Sequence, residues 1–111
     1  MAAKANIVID QGADFATSIT VTDSDGNVVD LTGYTARGQI RKHYTSATKV
    51  DLSATFTTPR SSGELTLTLS NVKTANMAAG RYVYDVELIS SANVISRLVE
   101  GIATVTPEVT R

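Results

Sequence analysis

The chain has 111 residues and a net charge of −1, with 42% apolar and 19% charged side chains; this length suits one domain, expected to span residues 1–111, around one hydrophobic core. The near-zero charge gives no basic field for a nucleic-acid partner. The lack of cysteine excludes disulfides and thiolate metal sites, and no apolar run approaches the ~18 residues that a membrane span needs.

Met1-Ala-Ala-Lys-Ala leads into the apolar segment Asn6–Ile9 without the apolar h-region of a signal peptide, so none is expected. Phe15 to Thr22 alternates strictly, with Phe15, Thr17, Ile19 and Val21 on one face, as in a half-buried strand. Asp25-Gly26 predicts a hairpin of the type I′ class, whose two central residues need positive φ. Val28 and Val29 then return toward Leu31, and Thr32-Gly33 breaks the chain again.

Tyr34, Ala36 and Ile40 share one face of the next strand, with Arg37, Gln39 and Arg41 on the other. Val50, Leu52, Ala54 and Phe56 alternate next, and Pro59-Arg-Ser-Ser-Gly63 is a turn cluster. Glu64–Leu69 places Leu65, Leu67 and Leu69 inward. Asn71–Ala79 is the one segment that tolerates a short helix, stopped by Gly80. Arg81–Ile89 and Val94–Val105 are the last strands, the second with an expected interruption at Gly101, and Pro107 ends it.

Seven to eight short strands with turn signals every 8–12 residues predict an all-β fold, an immunoglobulin-like antiparallel β-sandwich with one short helical turn. Ala78-Ala-Gly80-Arg-Tyr82-Val-Tyr84 sharpens this expectation. Gly80 allows a tight turn, the Tyr82 hydroxyl can bond backwards as in a tyrosine corner, and Tyr84 takes an inward position.

Chemistry-bearing patterns are few. His43 is the single histidine and has no second ligand to make a zinc site. Gly33 to Gly38 has P-loop glycine spacing but lacks the Lys and Ser/Thr that bind phosphate and Mg²⁺. Asp23-Ser-Asp25-Gly26-Asn27 has oxygen ligands at alternate positions, as Ca²⁺ prefers, but its glycine is misplaced for an EF-hand, and a turn explains the same residues. Asp85, Glu87 and Glu100 could be drawn as paired carboxylates for glycoside hydrolysis, yet Arg97 nearby favours cross-strand charge pairing. Arg37, Arg41, Lys42 and Arg81 form a basic strip without interleaved aromatics. No catalytic, cofactor-binding or metal residue is expected, and the chain is read as a non-enzyme.

Apolar residues on supposedly outward faces are more informative. A sandwich strand needs one apolar face, whereas Asn6–Ile9 and Ile95–Val105 are apolar on both. Ile7, Ile9, Val83, Ile89 and Ile102 are therefore the expected protein-interface residues, reached by strand addition or sheet packing.

Several segments also carry a family resemblance over nearly the whole chain. Lys4-Ala-Asn-Ile-Val-Ile-Asp-Gln-Gly-Ala-Asp-Phe15, Asp30-Leu-Thr-Gly-Tyr34 with Ala36-Arg37, and Ala79–Leu88 resemble small virion structural proteins of tailed bacteriophages. Ile40–Tyr44 and Val99–Pro107 are similar to the same group in cyanophages with contractile tails. The opening strand, the Leu-Thr-Gly-Tyr turn and the Gly-x-Tyr-x-Tyr-Asp strand also resemble the immunoglobulin-like N-terminal domain of phage upper baseplate proteins. The resemblance implies a virion component, assembled in the host cytoplasm and present in symmetric copies. Its partners would be other virion proteins, with no nucleic acid, membrane or cofactor. It would act as an adaptor or decoration on the tail, baseplate or neck, or alternatively as a capsid decoration protein. Because the chain stops at Arg111, a complete fibre is not expected. Two other classes stay open: a module binding host carbohydrate or receptor, for which Tyr44 is the test residue, and a minor enzyme such as a cell-wall hydrolase.

Overall fold

Two-residue periodicity dominates residues 3–109, which the computed structural model describes, and it builds eight strands. These are β1 (Ala3–Lys4), β2 (Ile7–Asp10), β3 (Phe15–Thr20), β4 (Thr35–Arg41), β5 (Val50–Phe56), β6 (Glu64–Leu69), β7 (Gly80–Ile89) and β8 (Ile95–Thr106). A 3₁₀ turn, Arg60–Ser62, precedes β6, and the short helix α1, Asn71–Ala75, follows it. The chain is an all-β, immunoglobulin-like sandwich.

The larger sheet runs from β1 and β2 through β8, β7 and β4 to the first half of β5. The smaller is made of the second half of β5, then β6 and β3. β5 joins them because it changes partner midway. Val50–Leu52 pairs with β4, and Ser53–Phe56 pairs with β6. Between the sheets lies one apolar cluster that includes Ile9, Leu31, Ile40, Leu65, Leu67, Val86, Ala103 and Val105.

Four expectations need correction. First, the sandwich is not wholly antiparallel: β1 and β2 both run parallel to β8, with Ala3 opposite Val99 and Ile7 opposite Ala103. Side-chain alternation is the same for either direction, so the pattern could not show it.

Second, Asp25-Gly26 is not a type I′ turn. Gly26 has φ +83°, but Asn93 is the one non-glycine with positive φ among the described residues. The Asp23 carboxylate instead accepts the amides of Asp25 and Asn27 at 2.9 and 3.0 Å, an Asx-type turn.

Third, the helix has the expected one or two turns, Asn71–Ala75, but Gly80 is not what stops it, since Asn76 is its C-cap. Ser70 caps it, and the fully buried Thr74 hydroxyl lies 2.8 Å from the Ala13 carbonyl. Met77 must then turn into the core. Fourth, Ile9 is core, with 0% exposure, and not an interface residue. Its register partner is the inward Val105, so the odd-numbered residues of β2 face in.

β8 runs unbroken through Gly101, whose partner is Tyr84. A side chain at Gly101 would collide with the Ala5 carbonyl, which comes down onto the strand where β1 gives way to β2. The Tyr84 hydroxyl donates to that same carbonyl at 2.6 Å. Ala5 donates to the Glu100 carbonyl at 2.9 Å, and Ile102 donates to the Asn6 side-chain oxygen at 3.0 Å.

β7 enters through a comparable device. Gly80 has φ +140°, and the Tyr82 hydroxyl donates to the Ala78 carbonyl at 2.6 Å. This is the backward bond of a tyrosine corner.

Gly101→Ala is expected to lower the unfolding free energy by about 1–3 kcal/mol through overpacking against backbone. Tyr84→Phe should cost about 1 kcal/mol through the lost hydrogen bond. Urea unfolding followed by circular dichroism measures both; a Gly101→Ala midpoint equal to wild type would reject the close approach.

Candidate functional site

The outer face of the larger sheet gathers most of the residues that the sequence singled out. β7 contributes Arg81, Val83, Asp85, Glu87 and Ile89 to it, and each has a cross-strand neighbour. Val83 lies between Arg41 on β4 and Ile102 on β8. Asp85 lies between Gln39 and Glu100, Glu87 between Arg37 and Arg97, and Ile89 between Thr35 and Ile95.

The middle of this face is a charge ladder. Arg37 Nε donates to Glu87 at 2.8 Å. Arg97 reaches Asp85 at 3.4 Å and Glu100 at 3.3 Å. The three carboxylates that a hydrolase reading would need are thus held by two guanidinium groups, Glu87 and Asp85 across strands and Glu100 along β8. Desolvation pushes the Asp85 carboxyl above its ordinary 3.8. Arg97 opposes the rise, and Glu87 and Glu100 add to it.

The basic strip is likewise divided. Arg37 serves Glu87, Arg41 donates to the Ser46 carbonyl and to Gln39, and the Lys42 ammonium lies 4.7 Å from the centre of the Tyr82 ring. The calcium-like Asp23 carboxylate is turned onto its own loop amides. Among the described residues no three His, Asp or Glu side chains gather as metal ligands.

Two apolar spots flank the ladder. At one end, Val8 on β2 and Ile102 on β8 are 61% and 38% exposed, and the half-buried Val83 continues the patch onto β7. Val8 is opposite Thr104 and so lies diagonal to Ile102. At the other end, half-buried Ile89 pairs with Ile95, which is 53% exposed.

Of the five expected interface residues, Val83, Ile89 and Ile102 therefore lie on this outer face. Ile9 is buried, and Ile7 packs partly against the core. Val8 and Ile95 are the residues that sequence reasoning missed. Ile7-Val-Ile9 is apolar at every position, so only the partner strand decides which residue faces out.

Between the ladder and the β4–β5 loop lies a groove of about 370 Å³. Arg37, Gln39, Arg41, Asp85 and Glu87 line it, and Tyr44, 78% exposed, forms its rim.

No family model matches the chain, and no curated protein matches it. Among solved structures it is similar to an internalin-like protein of Listeria monocytogenes. The two are 14% identical with a TM-score of 0.48, over 96% of this chain and 28% of the other, so the chain spans less than a third of that protein's length.

Because the folded-state pKa of Asp85 is raised, its contribution to stability is fully present below pH 3.8 and is lost as pH rises through the higher folded value. Asp85→Asn removes that loss. The melting temperature of the variant minus that of wild type should therefore increase as pH rises from about 3 to 6. A difference that is flat or falls over this range would contradict the burial-driven shift.

Proposed function

We propose that this chain is a non-enzymatic structural domain of a tailed-phage particle, an adaptor or decoration that docks on neighbouring protein copies through the outer face of its larger sheet. The observation that carries the reading is the patch of Val8, Ile102 and Val83, an apolar centre continuous across three adjacent strands and bordered by charges. Specific interfaces share that anatomy, with a dry centre and a polar rim. The Arg37–Glu87 and Arg97–Asp85–Glu100 pairs of the ladder are already made, so a partner need not desolvate those groups as lone charges to reach the centre. The resemblance to small virion proteins supports the phage setting, where symmetric repetition lets modest contacts add up.

A second reading is favoured by the Tyr44 groove. An exposed aromatic ring beside a floor of carboxylates, guanidinium groups and an amide offers stacking and hydrogen bonds, as a saccharide requires. Val83 reaches the edge of this groove, whereas Val8 and Ile102 do not line it, so Tyr44→Ala set against substitutions at Val8 and Ile102 separates the two readings.

In particles assembled with Val8→Lys and Ile102→Lys together, the copy number of this chain should fall at least tenfold. Its melting temperature should stay within a few degrees of wild type, because both side chains face outward. Quantitative mass spectrometry of purified virions measures the copy number. Absence of the wild-type chain from virions would overturn the structural reading. Loss of glycan-array binding in Tyr44→Ala, with incorporation unchanged, would establish the saccharide reading.

A further inference from the structure

The smaller sheet ends on β3, and among the described residues no strand pairs with its other side. Val21 donates to the Gly63 carbonyl at 2.7 Å in continuation of the β3–β6 register. By antiparallel alternation, Phe15, Thr17 and Ile19 bond toward β6, and the N–H and C=O groups of Ala16, Ser18 and Thr20 point out of the edge. An edge of this kind is normally blunted by charge, proline or a bulge. β3 reads Phe-Ala-Thr-Ser-Ile-Thr and has none of these along its length.

Beside this edge the sandwich is open. A cleft of about 410 Å³ lies between β3 with its continuation to Thr22 and the Ala5–Ile7 segment of the larger sheet. Ile7, Ile19, Val21, Leu67 and Leu98 contribute to its walls, and none of its lining residues is ionised at neutral pH.

We propose that the β3 edge and this cleft together accept an extended, uncharged segment of a partner protein, which adds as a fourth strand to the smaller sheet and sends alternate apolar side chains into the cleft. Two features of the site select that occupant. A row of backbone donors and acceptors repeating every second residue is matched along its length by another extended chain. An apolar cleft without ionised groups rejects a charged side chain, whose desolvation nothing would offset. A second copy pairing β3 to β3 satisfies the first condition but not the second. Its Phe15, Thr17 and Ile19 already face its own interior, so both clefts would stay unfilled. The β3 edge belongs to the other sheet from the docking patch, the cleft lies between the two sheets, and the site does not depend on the phage reading.

The test uses the full chain, ¹⁵N-labelled, and three nine-residue peptides that alternate threonine with valine, leucine or phenylalanine between terminal lysines. Binding of at least one peptide should shift the amide signals of Ala16, Ser18, Thr20, Ile7 and Leu67. It should also slow hydrogen exchange at Ala16, Ser18 and Thr20 at least tenfold. The same peptide N-methylated at alternate residues on its pairing edge should lose both effects. Ser18→Pro removes one outward donor while sparing the β6 ladder and should weaken binding about tenfold or more. If that variant fails to fold, the N-methylated peptide on the wild-type chain decides alone. No shift with any peptide at millimolar concentration overturns the proposal. So does equal binding of the N-methylated peptide, or protection of the β3 edge that rises with protein concentration in the absence of peptide, since that would mark a self-pairing edge.

Discussion

The contact of the Tyr84 hydroxyl with the Ala5 carbonyl, above the bare backbone of Gly101, determines how the opening of the chain joins the rest. Three groups must agree at that point. Gly101 leaves the space, Tyr84 supplies the donor from the neighbouring strand, and the Ala5 amide bonds to Glu100 on the far side. A carbonyl pressed onto a sheet without a donor would carry a desolvation penalty, so the tyrosine is needed once the glycine has admitted the backbone. The junction divides the first strand into two pieces, β1 and β2, and holds both against β8.

That placement has a consequence for the smaller sheet. Strands held parallel to β8 are not available to cover β3, so the smaller sheet keeps an open edge and the sandwich keeps an open side. Tyr84 and Val99 belong to the cleft that results, together with Ala5 and Asn6. The same local contact therefore closes the larger sheet and opens the smaller one. β5 compensates at the other side by pairing with both sheets in turn, which closes the sandwich there with continuous backbone hydrogen bonding.

How legible all this is in the amino-acid order depends on whether one side chain or a partner carries the information. Leu65, Leu67 and Leu69 alternate with glutamate and threonine, so their inward direction is unambiguous and the structure buries all three. The Gly80-x-Tyr82-x-Tyr84 segment is readable because each residue has a separate steric or bonding role. Ile7-Val-Ile9 is not readable, since three apolar residues in a row fit either phase, and a slip by one exchanges core for surface. β8 hides a further shift. Between Val86 and Glu87 the register jumps, because Val86 faces Val99 but Glu87 faces Arg97. The extra residue, Leu98, packs partly on the core, and the residues before it change face. A strand that looks apolar on both sides is thus partly one apolar face interrupted by a bulge, and the true outward apolar set shrinks to Val8, Ile95 and Ile102 with their half-buried neighbours Val83 and Ile89. Strand direction leaves no trace in alternation at all, which is why the parallel pairing at the chain start could not be foreseen.

The two surfaces proposed for docking obey different selection rules. The proposed outer-face contact would rest on shape and apolar area beside a ladder whose charges pair with one another. The β3 edge recognises backbone, and its side-chain preference comes from the cleft alone. A partner that satisfies one has no chemical reason to satisfy the other. On these two proposals, orthogonal contacts on one sandwich would let it bridge unlike neighbours, with the second contact strengthened by the effective concentration that the first creates. On the proposed reading, that arrangement is how one sandwich would act as a joint between proteins.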